Sequence, residues 1–417
     1  MDVKLTNAQE NAKRLIEEWF LNTDDKVFVL SGYAGTGKTF LIDYIVREVL
    51  KLKVGEEAVF VSPTGKAAAN LVRNGTLAGT VHSLIYMRDG EEFDVDENGE
   101  IIERKELKFI KREQIDERIR LIIIDEASMI NETVLGDLLS FQVKCLFCGD
   151  GAQLPPVNGS CSLLQNPHYT MTEIVRQASD NPIIQVATLA REGKYIPYGN
   201  YGDKVCVISA RALSKSERRR VFLKADQIIC GKNKTRNDLN DEIRWYKGIT
   251  KDEWLPTDGE KVICTLNDWE KELDKDGKFH LVNGIIGTAS EVQERQDGLA
   301  TMTFQADFMD EGVCAPFDTG VFETGEYRHL YGDRAVTLSN GEVVHEGNFA
   351  MLHRFRSVGD EPICRFEFAY AITCHKAQGS EFDFVVVFDE SRVFGEESGR
   401  WLYTAITRAK EKLLIIR

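Results

Sequence analysis

The chain has 417 residues, 43% of them apolar and 29% charged, with a formal net charge of −15. That length suits about two to four compact units, and the charge excludes the broad basic surface of a non-specific nucleic-acid coat while leaving room for a narrow groove of local positive potential. No apolar run approaches the roughly 18 residues needed to span a bilayer. The N-terminal stretch MDVKLTNAQENAKRLIEEWF carries acidic residues and lacks the layout of a signal peptide, so a cytoplasmic protein without a membrane partner is expected.

In chain order, Leu5, Ala8, Ala12, Leu15, Ile16 and Trp19 give the first segment a helical apolar face. KVFVL follows as a buried strand, then GYAGTGKT, then the helical FLIDYIVREVLKL. Gly32, Gly37, Lys38 and Thr39 fit G-x-x-x-x-G-K-[ST] in the strand–loop–helix setting that such a phosphate loop needs. The backbone N–H groups of Gly35, Thr36 and Gly37 would cradle phosphates at a helix N-terminus. Lys38 would reach the outer phosphates and Thr39 would hold Mg²⁺. A nucleoside triphosphate, ATP or another, is therefore the expected ligand.

AVFVSPT is the next strand and GKAAANLVRN the next helix. The pattern breaks between Leu84 and Arg118, where an acidic stretch with Asn98-Gly99 between short alternating runs predicts an inserted β-hairpin. RLIIIDEAS, NETVLGDLLSF and KCLFCGD then resume strand, helix, strand. Such continuous apolar strands suit a parallel sheet buried on both faces. Asp125 would hold Mg²⁺ and Glu126 would polarise an attacking water. Asp150 and Gln153, in CGDGAQLPPV, stand where a strand meets a loop at the ligand edge of such sheets, and Gln153 is placed to sense a γ-phosphate. The chain has nine cysteines. Cys145 and Cys148 form a C-x-x-C inside a strand, where residues three apart face opposite ways, so buried thiols are expected there.

A second α/β stretch begins near Ser179 with NPIIQVATLAREGK and DQIICGKN. From about Trp245, Gly- and Asp-punctuated strands predict a small barrel-like insertion. The α/β pattern returns near Phe366 with AITCHKAQGSEF, DFVVVFDE and RWLYTAITRAKEKLLIIR. Arg176 and Arg408 are candidates to reach the γ-phosphate from a second domain. Two Thr-x-His turns, Thr80/His82 and Thr373/His375 with Lys376 beside it, offer hydroxyls, imidazoles and an ammonium to the backbone of a single strand. The clusters from Glu103 to Glu113 and from Ser216 to Phe222 would either line a groove or form solvated helix faces.

Taken together, LTNAQ, GYAGTGKT, SPTGKAA, GTVHSL, DEAS, GDGAQLPPV, TEIVRQ, ITCHKAQGSEF and YTAITRAK resemble, in order, the motifs of superfamily 1 helicases of the RecD/Dda-like group. The resemblance covers nearly the whole chain. It implies an α/β fold with two RecA-like motor domains, at 1–84 with 119–178 and at 179–244 with 366–417. It also implies a β-hairpin pin at 85–118 and an SH3-like β insertion at 245–365. ATP would lie between the motors with Gln9 on its base, Gly379 and Glu381 near the γ-phosphate and ribose, and Arg176 and Arg408 as arginine fingers. Pro63, Thr64, Lys66, Thr80, His82, Thr373, His375 and Lys376 would follow single-stranded DNA, and Phe93 is the aromatic near the hairpin tip.

The group moves 5′ to 3′ and separates forked duplexes. The implied enzyme is a monomeric DNA helicase with ATP and Mg²⁺, and its protein partners would belong to replication or recombination. Two departures stand out. Gly65 occupies a place where Dda-type chains can carry His, so that contact is not carried over. The motor also begins at once, without the extra N-terminal domain of RecD. The alternatives are a translocase that displaces proteins or remodels forks, and a nucleotide-gated binding module. The second would be expected to carry an Asn-Lys-x-Asp turn, whereas this chain has Asn233-Lys234-Thr235-Arg236.

Overall fold

Six apolar strands form a wholly parallel sheet in the order Tyr169–Met171, Val27–Gly32, Lys144–Gly149, Leu121–Ile124, Ala58–Ser62, Ala78–Thr80. The computed structural model describes residues 4–73, 75–88, 93–95, 101–104, 109–155, 162–175, 180–275, 279–295, 299–324, 335–337, 343–345 and 363–417. The strand Leu121–Ile124 is buried at every position, as expected for a strand covered on both faces. The first helix, Asn7–Asn22, starts in a capping box of Thr6 and Gln9 and buries Ala12, Ile16, Trp19 and Phe20. These four pack with Phe28, Leu30, Leu41, Ile45 and Leu146 in one core. Each large member contributes roughly 1.5–3 kcal/mol by leaving water.

A second six-stranded sheet runs Gly199–Tyr201, Val205–Ile208, Ala409–Ile416, Phe382–Phe388, Gln227–Cys230, Ala371–Thr373. The first pair is antiparallel and the rest are parallel. Its core joins Phe222, Ile228, Leu239, Ile243 and Val386. The helix Asn233–Lys247 contains Trp245, so the β-rich part begins later than its sequence suggests. That helix closes on Gly248, whose φ of 89° is the left-handed conformation a helix end requires.

By backbone proximity the chain divides into two units. One holds both parallel sheets: Met1–Ile85, Glu113–Ile249 and Tyr370–Arg417. The other joins two distant segments, Tyr86–Arg112 and Thr250–Ala369. In it, Tyr86–Arg88 pairs antiparallel with Phe109–Lys111, and Phe93–Val95 with Ile101–Arg104. The cluster from Glu103 to Glu113 therefore contains strand residues in place of a helix face. The same unit has a five-stranded antiparallel sheet, Val313–Asp318, Leu299–Ala306, Ile286–Glu294, Glu260–Cys264, Phe366–Phe368, around Met302, Phe304, Phe317 and Phe366.

The second basic cluster lies in the helix Lys215–Lys224. There Arg218 pairs with Glu242 at 2.6 Å and Arg219 donates to the carbonyl of Tyr246, so two of its three arginines serve packing. Among the described residues no helix is long and apolar enough to cross a membrane.

Candidate active site

The strand Val27–Gly32 delivers the chain into a loop that only glycine can complete. Gly35 and Gly37 have φ of 81° and 75°. A Cβ on Gly37 would meet Gln9 Nε2 at 2.8 Å. Thr36 is fully buried; its hydroxyl donates to the carbonyl of Tyr33 at 2.8 Å. The Lys38 ammonium lies across the loop, donating to the carbonyls of Gly32 at 2.7 Å and Tyr33 at 3.1 Å. The helix Lys38–Tyr44 starts directly behind it and widens into a π turn at Ile45–Val49.

Gln9 is held on two sides. Its Oε1 accepts from Thr6 N–H in the capping box, and its Nε2 donates to the carbonyl of Thr36 at 3.3 Å. The first helix is thereby latched to the phosphate loop.

Asp125 and Glu126 follow the central strand Leu121–Ile124. Thr39 donates to Asp125 Oδ2 at 3.4 Å, and Asp125 Oδ1 accepts from the N–H of Glu126 at 2.9 Å. Burial pushes the Asp125 carboxyl above its ordinary range, against the pull of the Glu126 N–H and the Lys38 charge. Burial also raises Glu126, and the Arg408 charge pulls it back. Glu126 has φ 53°, a left-handed conformation that is uncommon for a side chain of its size.

Arg408 comes from the second sheet's side of the site. It is 4% exposed and donates to the carbonyls of Thr404 and Ser380 and to the Thr407 hydroxyl. Gln153 is buried, its N–H on the carbonyl of Asp150 at 3.1 Å, with Oε1 unpartnered among the described residues.

The residues around Gln153 are gripped from the second sheet. Leu154 N–H donates to Thr404 Oγ1 at 2.9 Å, and Gln378 Nε2 donates to the carbonyl of Leu154 at 2.8 Å. Tyr403 accepts from the N–H of Ala34 and bonds Asp150. Arg191 stacks 3.5 Å over the ring of Tyr33, beside a cavity of about 380 Å³ that Ser31, Gly151, Thr170 and Arg400 also line. Sequence reasoning missed Tyr403, Thr404, Gln378 and Arg191. Tyr403 and Thr404 stand inside YTAITRAK, in which Arg408 alone drew notice; their spacing from that arginine was the available signal.

The remaining candidates have other partners. Gly379, φ 71°, backs onto the helix Gly65–Arg73: its carbonyl accepts from Asn70 at 2.7 Å, and a Cβ there would meet Ala67 at 3.1 Å. Glu381 is exposed. The two Thr-x-His turns occupy equivalent places, each ending the last strand of its sheet and opening a short helix, Val81–Ile85 or Cys374–Ala377. Burial holds the imidazoles of His82 and His375 below their ordinary pKa. Thr80 and Ser83 bond each other reciprocally. Half-buried Pro63 precedes Thr64, which accepts from Ala67 N–H, and the Lys66 ammonium lies 5.1 Å over the Phe382 ring. Lys376 is half-buried, and Thr373 begins the helix Cys374–Ala377. Arg176, Asn98, Gly99 and the side chain of Phe93 lie outside the described residues. Cys145 and Cys148 are both buried, and burial pushes the Cys145 thiol up to about 12.

An AAA domain model matches residues 4–207, and a UvrD-like helicase C-terminal domain model matches 368–416. The chain is 25% identical over 411 residues to the ATP-dependent RecD2 DNA helicase of Deinococcus radiodurans, covering 93% of this chain and 46% of that protein. It is 24% identical over 432 residues to the ATP-dependent DNA helicase Pif1 of Campylobacter jejuni, covering 92% and 87%. Each of these two similarities covers more than nine tenths of this chain. A solved Pif1 structure, described as two coordinating helicases at forked double-stranded DNA, has the same fold, with a TM-score of 0.50 at 18% identity over 99% of this chain and 92% of that one. The relatives differ widely in length. The chain spans 46% of RecD2 and 36% of an uncharacterized Methanocaldococcus jannaschii protein to which it is 25% identical over 94% of its own residues.

Proposed function

We propose that this chain is an ATP-driven DNA helicase that moves along single-stranded DNA, 5′ to 3′, and separates duplex at a fork. One observation carries the reading: the helix that leads into the buried Arg408 is bonded to the ligand-side turns of the first sheet, Tyr403 to Ala34 in the phosphate loop and Thr404 to Leu154 beside Gln153. Hydrolysis in such a site depends on how the two sheets are arranged, which is what a motor needs.

The residues fit a magnesium nucleotide. The left-handed glycines open the loop's N–H groups, Thr39 and Asp125 stand 3.4 Å apart as an oxygen pair, and Gln153 leaves a buried polar atom unpartnered among the described residues. The N–H groups of Gly35, Thr36, Gly37, Lys38 and Thr39 would bind the phosphates. Thr39 and Asp125 would hold Mg²⁺, which supplies charge neutralisation there. Glu126 would orient water, and Arg408, with Arg176, would offset the charge that develops on the transferred phosphoryl group. Gln9, latched to Thr36, would sit at the base side of the loop.

The matched Thr-x-His turns support a single-strand track with Pro63, Thr64, Lys66, Thr80 and His82 on one sheet and Thr373, His375 and Lys376 on the other. Both imidazoles, held neutral by burial, would serve as hydrogen-bond groups and not as charges. The two Pif1-like motor parts would be 1–84 with 119–178 and 179–244 with 366–417. The paired strands between Tyr86 and Lys111 would carry the strand-separating pin with Phe93, and the five-stranded sheet in the same unit would be the SH3-like element that braces it. RecD2 and Pif1, named ATP-dependent DNA helicases, support the reading.

The test is turnover with and without single-stranded DNA, followed by unwinding of forks bearing one 5′ or one 3′ tail. Many-fold stimulation and unwinding from the 5′ tail are expected. Turnover indifferent to DNA would overturn the motor.

A further inference from the structure

Tyr403 is a buried polar group at this site to which the nucleotide reading gives no task. It lies on the helix Ser398–Ile406 and is 1% exposed. Its hydroxyl accepts from the N–H of Ala34 at 2.8 Å and donates to Asp150 Oδ2 at 2.5 Å. Ala34 belongs to the phosphate loop. Asp150 shapes the turn that carries Gln153, because its other oxygen accepts from the N–H of Ala152 at 2.9 Å. One phenol therefore ties the two ligand-facing turns of the first sheet to a helix of the second.

The chemistry explains why this residue is a tyrosine. Ala34 needs an acceptor and Asp150 needs a donor, and a hydroxyl is both at once. Phenylalanine would fill nearly the same volume and leave the carboxylate without this donor. The next residue, Thr404, receives the N–H of Leu154, and its carbonyl receives Nε of Arg408. The end of this helix thus sets the loop, the Gln153 turn and the arginine together.

We propose that Tyr403 is a positioning residue for the γ-phosphate: it fixes Ala34 and the Gln153 turn in one relative geometry, so that preference for a triphosphate over a diphosphate depends on the second sheet. The inference rests on the nucleotide reading of the loop. A diphosphate would be held by the loop's glycines and Lys38, whereas the Tyr403 hydroxyl bonds Ala34 and Asp150. Only the outer phosphate would need the loop and the Gln153 turn at a set distance.

The experiment compares wild type with Tyr403→Phe in the full chain, measuring dissociation constants for ADP and for a non-hydrolysable ATP analogue, with a melting curve for each. Tyr403→Phe is expected to keep ADP affinity within about twofold and to weaken the analogue about tenfold, the scale of one charge-assisted hydrogen bond. An unchanged affinity ratio overturns the proposal, as does equal weakening of both nucleotides with a lowered Tm, the signature of a merely structural tyrosine. Asp150→Asn gives a second reading if Tyr403→Phe does not fold. It should reduce the same ratio by about threefold, and an unchanged ratio again overturns the proposal. Wild type that binds neither nucleotide sinks both this proposal and the motor. Wild type that prefers the analogue while its turnover ignores DNA sinks the motor alone.

Discussion

Two strands hold corresponding places in the two parallel sheets, and both end in Asp-Glu. Leu121–Ile124 runs into Asp125 and Glu126; Phe382–Phe388 runs into Asp389 and Glu390. In the first sheet the acids face Thr39, Lys38 and Arg408. In the second they hold the fold together. Asp389 takes Arg417 at 2.6 Å, and Glu390 accepts from the N–H groups of Gly231 and Lys232 and from the Thr235 hydroxyl at 2.7 Å. The backbone differs as well: Glu126 has φ 53° and Glu390 has φ −103°. An acidic pair at a strand end is free for chemistry only where the fold has not already taken up its oxygens, as it has those of Asp389 and Glu390. The strand Val205–Ile208, which occupies the phosphate-loop strand's place, leads into Ser209 and a short helical turn without a glycine-rich loop.

The comparison breaks most completely if Lys38 is dispensable. Lys38→Ala is expected to lower ATP turnover by at least about 10³-fold, with single-strand affinity held within about threefold at fixed salt. Turnover above a tenth of wild type would contradict the assignment. Next come the two arginines. Arg408→Ala should lower kcat by about 10³-fold with little change in KM. Arg417→Ala should leave kcat within about twofold and cost roughly 2 kcal/mol of stability by stranding Asp389. Kinetics and denaturant melts on both variants decide between these patterns.

The paired acids sharpen the contrast further. Glu126→Gln should cut turnover about 10²-fold while nucleotide affinity stays within about threefold. Glu390→Gln should keep turnover and lose about 1–2 kcal/mol. If both variants lose turnover alike, the sheets are not divided as argued. The smallest effect concerns His82 and His375. Their native pKa values are lowered by burial, so the unfolded chain binds more protons as pH falls below about 6.5. Their contribution to stability is present above that pH and is lost as pH falls through the native values. The double variant His82→Gln, His375→Gln should flatten Tm against pH between about pH 7 and 5. An unaltered slope would deny the two turns their equivalence.

The sequence was informative where chemistry is local. The phosphate loop, Asp125-Glu126 and the Thr-x-His turns could be read because their residues stand next to one another on a strand–turn–helix frame. Contacts between sheets could not be read that way. Tyr403 sits among Trp401, Leu402 and Ile406 and looks like core, and nothing local links it to Ala34, 369 positions away. Gly379 shares a motif with His375, yet its left-handed turn packs it on the helix Gly65–Arg73. Asp389-Glu390 shows the converse, a pattern that would mislead if its partners were unknown. The five-stranded sheet and the paired strands after Ile85 are far apart in sequence, and tertiary proximity puts them in one unit.

The backbone at Glu126 has an evolutionary consequence. A left-handed glutamate costs of the order of 1 kcal/mol, which Asn or Gly would largely recover. A copy of this gene freed from the need to turn over nucleotide would gain stability by exchanging the residue proposed to orient the water. Such a descendant would melt later than its parent while having lost catalysis, and an alignment of fold-retaining, inactive paralogues should show that exchange early.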